Sequence, residues 1–248
     1  MKRLLLAVLA ALVMVAGSGC TVVGVSGYGD SLIARKADWL KVNNKTAAAQ
    51  AAGDALINAF TYTSADGEFR ISSYGWFSVP GSTMYNHPNW ATGLDKKTAK
   101  PQVVVYSFGT NDAWAYATRN RVPGSHFTVP AQALGQADTW IQRARDQGAR
   151  CVIWIKPLDK HVYLSNDAER RAYKDWIDDF NSQLQRRSDA NESPAFKLEL
   201  IDWPALLSED PVVPTGRSFD GLHPNQNGGT VIGRQIHDLI RGKDKCGQ

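Results

Sequence analysis

Residues 21–34, TVVGVSGYGDSLIA, join an apolar, β-prone run to the start of a helical pattern. The run from 21 to 26 predicts a buried strand, and the glycines and the aspartate that follow it predict a tight turn. Ser31 lies at the end of that turn. Three roles fit a serine at this place: a helix N-cap, part of a nucleotide-binding turn, or a nucleophile.

The same alternation of strand and helix continues along the chain. Four further β-prone runs lie at 68–73, 102–108, 151–155 and 196–202. Patterns with the helical spacing of about 3.6 residues separate these runs. Continuous apolar strands are typical of a buried parallel sheet. The sequence therefore predicts an α/β fold, a three-layer α/β/α sandwich around a five-stranded parallel sheet, in one domain of residues 21–248.

Residues 1–20 predict a removable export signal. Lys2 and Arg3 precede an apolar run from Leu4 to Ala16 that is too short for a typical membrane span. Cys20 resembles the lipid-carrying cysteine of bacterial lipoproteins, although Gly17 stands where their signal usually has leucine or valine. Lipid attachment and ordinary cleavage nearby both stay open. We expect a protein that is secreted or lipid-anchored at the bacterial cell envelope.

Net charge and cysteine content indicate which partners, disulfides and metal sites to expect. The formal net charge is +4 and no long basic run is present, so nucleic acid is not an expected partner. If Cys20 carries lipid, Cys151 and Cys246 remain as a possible disulfide pair. No spacing of cysteines and histidines is typical of a metal site, and we expect no metal, no cofactor and a monomer.

Polar residues follow each predicted strand. In an open parallel sheet, ligands bind beyond the carboxyl ends of the strands. There the chain carries Gly29–Ser31, Gly81–Thr83, Gly109–Asp112, Lys156–Asp159 and Asp220–Asn225. Because these ends share one edge, we expect the loops to meet there. The loop histidines His87, His126 and His161 are further candidates for lining the site.

This set of side chains is what ester hydrolysis through an acyl-enzyme requires. The hydroxyl of Ser31 needs a base, and His223 has a suitable pKa. Asp220, three residues earlier, can accept from the other ring nitrogen, with Asp159 as a weaker alternative. Asn111 and backbone N–H groups can stabilise the oxyanion.

Three sequence blocks resemble, in order, those of the SGNH hydrolases of the GDSL esterase/lipase superfamily. They are GDSL at 29–32, GTND at 109–112 and DGLH at 220–223. A fourth block, PGST at 80–83, resembles the glycine block of that family. The resemblance implies a flavodoxin-like fold and a serine esterase or lipase that needs no cofactor.

The resemblance also implies the role of each residue. Ser31 is then the nucleophile, with His223 and Asp220 completing the catalytic set. The oxyanion hole is formed by the N–H of Ser31, the amide of Asn111 and the N–H of Gly81. Gly75, which lies closer to the predicted strand end, is the alternative to Gly81.

Other interpretations of the first turn fit less well. A dinucleotide-binding turn would need its third glycine where the chain has Leu32. The G-x-S-x-G elbow of α/β-hydrolases would need a glycine at Ile33. We interpret Asp30 and Asp112 as structural residues that bond loop backbone.

The expected substrate is a small-molecule, glycan or lipid ester. Trp76 and Trp114 flank the predicted loops and are candidates for a substrate-binding surface. Acyl transfer to a sugar hydroxyl instead of water, and a non-catalytic envelope- or carbohydrate-binding protein on the same fold, are the alternative functions.

Overall fold

One mixed sheet forms the centre of the fold. The computed structural model describes residues 21–92, 100–118, 129–190, 195–209, 216–242 and 246. In these residues the strands are β1 Thr21–Gly29, β2 Tyr62–Thr63, β3 Phe69–Ser78, β4 Val103–Ser107, β5 Cys151–Ile155 and β6 Lys197–Ile201. They hydrogen-bond in the order β2-β3-β1-β4-β5-β6.

The sheet has six strands instead of the five predicted. The five predicted strands are parallel to their neighbours, in the order typical of flavodoxin-like folds. The sixth strand, β2, has two residues and pairs antiparallel with Arg70 and Ile71 at the edge. Two residues are too few to show a strand period, which is why the sequence pattern does not reveal β2. The predicted α/β class is confirmed.

Helices cover both faces of the sheet. A 3-10 turn, Ser31–Ile33, follows β1 directly. The α-helices of the described residues are α1 Lys36–Lys41, α2 Lys45–Gln50, α3 Gly53–Phe60, α4 Pro88–Thr92, α5 Thr110–Thr118, α6 Pro130–Asp146, α7 Asp167–Ala190, α8 Trp203–Ser208 and α9 Gln226–Arg241. Within the described ranges, none of these helices has the length and apolar character needed to cross a bilayer.

Alternate residues of the central strands pack into two separate cores. On one face, Val105 of β4 shares a cluster with Leu56 of α3 and Ile236 of α9. On the other face, the ring of Tyr106 packs against Trp140 of α6, with 5.5 Å between centroids. This alternation follows from the two-residue period of a strand, and it produces the three predicted layers.

Glycines in β1 allow aromatic rings of β3 to lie against that strand. Gly27 is paired with Trp76, and a Cβ at Gly27 would lie 2.5 Å from the indole. The indole Nε1 donates to the carbonyl of Ile33 at 2.9 Å, and the side chain belongs to the core on the α3 face. The structure therefore places Trp76 in the core, not at the expected substrate-binding surface.

A disulfide joins Cys151 and Cys246 at the amino-terminal edge of the sheet. Cys151 begins β5, Cys246 follows α9, and their Cα atoms are 5.2 Å apart. The possible pairing is thus confirmed. In the chain-entropy model, a loop of this length contributes about 4 to 5 kcal/mol to stability. Thr21, the first residue of β1, lies at this same edge.

Candidate active site

The loops at the carboxyl edge of the sheet enclose a cavity of about 410 Å³. Its wall includes Ser31, Gly81, Asn111 and His223, which come from four different segments at the strand ends. These residues are separated by up to 192 positions in the chain. The parallel sheet brings them together because every one of these loops leaves or approaches the same edge.

Ser31 is the first residue of the 3-10 turn that follows β1. The carboxyl of Asp30 accepts a hydrogen bond from the N–H of Leu32 at 3.0 Å, so the N-cap is Asp30. The Ser31 hydroxyl makes no capping contact and instead lies 2.9 Å from Nε2 of His223. The structure thus separates the two roles that the sequence left open for this serine.

A tight loop holds Asp220 against His223. One carboxylate oxygen, Oδ1, accepts from the backbone N–H groups of Leu222 and His223 at 3.0 and 2.7 Å. The other, Oδ2, lies 2.7 Å from Nδ1 of His223. Gly221 makes the turn possible, because its φ of +84° is a conformation that side chains disfavour. With the Nδ1 proton in this bond, Nε2 is left to accept from Ser31.

Two aromatic rings fix the plane of the His223 imidazole. Phe219 stacks on it with 5.5 Å between centroids and 12° between planes. Trp39 of α1 meets it edge-on at 5.6 Å and 81°. These contacts restrict rotation of the imidazole, so Nε2 stays directed towards the serine.

Hydrogen bonds around Asp220 stabilise its negative charge. Partial burial raises its pKa, but hydrogen bonds from the His223 ring and from two backbone N–H groups outweigh burial and lower the pKa to about 2. The alternative acid, Asp159, pairs instead with Lys174 at 3.7 Å. The structure therefore gives Asp220 the position beside the histidine.

Asn111 lies in the first turn of α5, on the cavity wall. Its amide nitrogen donates to the carbonyl of Ser82 at 3.1 Å and lies 3.4 Å from Oδ2 of Asp30. Gly81, with a φ of +83°, also borders the cavity. The alternative glycine, Gly75, lies within β3 and pairs with Ser26.

Asp30 and Asp112 form a buried acidic layer beneath the cavity. Complete burial raises the pKa of Asp30 to about 8, and the charge of nearby Asp112 adds to that effect. Burial likewise raises the pKa of Asp112 to about 7, although both its oxygens accept from the N–H of Met84 at 3.2 Å. These residues bond loop backbone, as the sequence interpretation expects.

The raised pKa of Asp30 predicts a pH-dependent loss of stability. The folded state holds the proton more tightly than the unfolded state, so Asp30 lowers the free energy of unfolding as the pH rises from about 4 to about 8, by at most about 1.4 kcal/mol for each step of one in pH, and Asp112 acts in the same direction up to about pH 7. Asp30→Asn lacks this penalty, and its stability relative to the parent protein should therefore increase over that range. Urea unfolding at several pH values measures it.

An exposed aspartate provides the matched control for this prediction. Asp175→Asn on α7 should follow the pH profile of the parent protein. If the difference between Asp30→Asn and the parent does not change with pH, Asp30 is ionised in the folded state and the prediction is wrong.

Sequence reasoning missed part of the cavity wall. The ring of Trp114 lies there as expected, but it is stacked on His161 at 5.8 Å and 8°. Tyr163, two residues further along, donates its hydroxyl to Asp220 at 3.1 Å. His161 lines the cavity as the sequence analysis expected, whereas no sequence signal pointed to Tyr163 beyond its place after β5. His126 and residues 1–20, including Cys20, lie outside the described residues.

Comparisons with known proteins bear on the whole domain. Residues 27–230 match the model of the GDSL-like Lipase/Acylhydrolase family. No curated protein has a sequence that matches this chain significantly. The structure is similar to that of Axe2, an acetylxylan esterase from Geobacillus stearothermophilus, with a TM-score of 0.55 and 14% identity over 91% of this chain and 97% of that chain.

A second solved structure has a similar fold. LAE5, an alpha/beta hydrolase enzyme from the metagenome of Lake Arreo, Spain, is similar with a TM-score of 0.51 and 16% identity over 89% of this chain and 95% of that chain. At such identities the solved structures show a shared fold. The family match covers most of the chain and spans Ser31, Asn111, Asp220 and His223. This chain belongs to the GDSL-like lipase/acylhydrolase family, a family of ester-hydrolysing enzymes.

Proposed function

We propose that this protein cleaves carboxylic esters through an acyl-enzyme formed on Ser31. One observation carries the proposal: Ser31 Oγ, the His223 ring and Asp220 Oδ2 form a continuous chain, with contacts of 2.9 and 2.7 Å. The chain ends at a cavity in which an ester can approach the hydroxyl. A nucleophile, a base and an orienting acid in this order are the requirements for acyl transfer to serine.

The reaction follows from this geometry. His223 takes the proton of Ser31 as the hydroxyl oxygen attacks the ester carbonyl. The oxyanion of the tetrahedral intermediate accepts hydrogen bonds from the amide of Asn111 and the N–H groups of Ser31 and Gly81. Collapse breaks the ester bond, and the departing alcohol receives the proton from His223. Water then attacks the acyl-enzyme, with His223 again as the base, and releases the acid and free Ser31.

The cavity favours uncharged substrates. Its walls are mainly apolar, with Trp39, Val42, Trp114 and Leu222 among the lining residues. The lining in the described part of the chain includes no lysine, arginine, aspartate or glutamate. Burial lowers the pKa of His161 to about 4, and nearby His223 adds to that effect, so His161 is neutral near pH 7. Uncharged acyl groups on sugars, lipids or small alcohols fit such a lining.

We place the enzyme outside the cytoplasm, at or beyond the cell envelope. The pattern of residues 1–20 supports export. The Cys151–Cys246 disulfide supports it too, since such bonds persist mainly in oxidising compartments. Attachment through a lipid on Cys20 is the more specific form of this proposal.

Covalent labelling tests the proposed nucleophile. A serine-directed organophosphonate should add to the peptide that contains Ser31, as detected by mass spectrometry. Ser31→Ala should abolish the label. Ser26→Ala is the matched control, because Ser26 lies buried on β1, the strand that leads to Ser31, and its hydroxyl has no hydrogen-bond partner among the described residues. Labelling of another residue in the parent protein would refute the assignment.

Product analysis separates hydrolysis from acyl transfer. A p-nitrophenyl ester is supplied with and without an excess of an acceptor sugar, and the acyl products are identified. Free acid as the main product in both cases supports hydrolysis. An acylated sugar that becomes the main product would show that the protein is an acyltransferase.

Removing the Asn111 amide should slow catalysis without weakening substrate binding. The oxyanion forms only during the reaction, so Asn111→Ala should lower kcat by about 10²- to 10³-fold with little change in KM. Steady-state kinetics on a short p-nitrophenyl ester measures both constants. Asn58→Ala, on the exposed side of α3, is the control. A rise in KM at constant kcat would argue against an oxyanion role.

A further inference from the structure

Tyr163 lies on the segment between β5 and α7, at the cavity wall. Its hydroxyl donates to Oδ2 of Asp220 at 3.1 Å. The same oxygen is 2.7 Å from Nδ1 of His223. Two donors therefore share a single carboxylate oxygen, and the second of them comes from a segment that carries none of the family's sequence blocks.

Ring contacts hold this segment in place. The imidazole of His161 lies between Trp114 of α5, stacked at 5.8 Å, and Tyr173 of α7, edge-on at 5.2 Å. Tyr163 also meets His161 edge-on at 5.7 Å, and its backbone N–H is 3.4 Å from Nδ1 of that ring. The phenol is therefore positioned through His161, which contacts two helices, although 63% of the surface of Tyr163 is exposed.

A third type of donor to the carboxylate changes how it acts on the histidine. A hydrogen bond to an ionised oxygen stabilises its charge and makes it a weaker proton acceptor. A carboxylate stabilised in this way attracts the imidazolium less strongly. The hydroxyl also restrains Oδ2, whereas two backbone N–H groups hold Oδ1.

We propose that Tyr163 is a positioning residue for catalysis, which orients Asp220 and weakens the attraction of that carboxylate for the imidazolium form of His223. The proposal rests on the proposed function of the Asp220–His223 pair. Without the phenol, the histidine becomes protonated at a higher pH, and the enzyme loses activity in mildly acidic solution. Tyr163 thus extends the working range towards low pH.

The buried carboxyls of Asp30 and Asp112, with pKa values of about 8 and about 7, also titrate within the measured pH range, but they do so equally in Tyr163→Phe and in its control. The groups that contact the pair directly do not obscure the effect. His161 is the further titratable ring near both Asp220 and His223, and burial lowers its pKa to about 4. Ser31 approaches from the turn after β1 and is neutral. Phe219 and Trp39, which contact the imidazole from the remaining sides, carry no charge.

The pH profile of Tyr163→Phe tests the proposal. We expect the acid limb of kcat/KM, measured from about pH 4.5 to about pH 9, to move upward by about half a pH unit. Tyr62→Phe, which removes a hydroxyl from the edge strand β2, should reproduce the parent profile. In parallel, NMR titration of the His223 ring in the intact protein should show the same upward shift in Tyr163→Phe.

The outcomes are distinct. An acid limb and a His223 titration that do not move, or that move downward, would overturn the proposal. A fall in kcat that is equal at every pH would assign Tyr163 a purely structural role and overturn it as well. The NMR titration does not depend on turnover, so it decides the proposal even if the protein proves not to hydrolyse esters.

Discussion

Ser31→Ala should lower kcat for a short p-nitrophenyl ester by roughly 10⁴- to 10⁶-fold. Without the hydroxyl, no acyl-enzyme forms. Only direct attack by water remains, on an ester carbonyl that the oxyanion donors polarise. The substitution removes one oxygen atom and leaves the backbone N–H of residue 31 in place. We therefore expect little change in KM or in folding. Steady-state kinetics and circular dichroism measure these quantities.

The control for this prediction is the same substitution at a neighbouring buried serine. Ser26 lies on β1, the strand that leads to Ser31, and Ser26→Ala should retain the kcat of the parent protein. Equal activity in Ser31→Ala and the parent would remove the basis for the proposed mechanism. The function would then be closer to that of a non-catalytic protein on the same fold.

Asp220→Asn should reduce kcat by about 10⁴-fold. An asparagine keeps an oxygen for the N–H groups of Leu222 and His223, so the loop should retain its shape. Its amide then faces Nδ1 as a donor, which favours the tautomer of His223 that carries its proton on Nε2. A protonated Nε2 cannot accept the proton of Ser31. The measurement is kcat near neutral pH, with the stability of each variant checked by urea unfolding.

The matched control for Asp220 is the alternative acid at the same edge of the sheet. Asp159→Asn breaks a contact with Lys174 and should leave kcat within about twofold of the parent value, as is typical of exposed pairs. The double variant Ser31→Ala/Asp220→Asn should be no slower than Ser31→Ala alone, since residues that act as a unit are not additive. An Asp159→Asn variant that loses activity while Asp220→Asn retains it would reverse the assignment.

The topology of the sheet was enough to predict that four residues share one site: Ser31, Asn111, Asp220 and His223. Each belongs to a loop at the carboxyl edge of the sheet, and a parallel sheet places those loops side by side whatever its detailed packing. The distances of 2.9 and 2.7 Å could not be predicted. They depend on ring contacts such as that of Trp39, whose position in α1 carries no sequence signal of proximity to His223.

The prediction that Trp76 belongs to a substrate-binding surface was wrong for a specific physical reason. Gly75 and the glycines, prolines and asparagines that follow favour a loop from Tyr74 onward, but residues 75–78 continue β3 because Ser26 to Gly29 of β1 pair with them. The glycines of β1 create the space that Trp76 fills. Such complementarity between two strands is a property of the pair, and the pattern of one strand does not contain it.

The position of Thr21 has a consequence for where the enzyme can act. β1 spans nine residues, so its first residue and the serine beyond its last residue lie roughly 25 to 30 Å apart, at opposite poles of the domain. Anything joined to the chain ahead of Thr21 is therefore attached at the pole farthest from the cavity. If Cys20 carries lipid, Ser31 lies too far from the anchoring bilayer to attack esters within it. Its substrates would then arrive from the aqueous side, as polymers or solutes, and not from the anchoring leaflet.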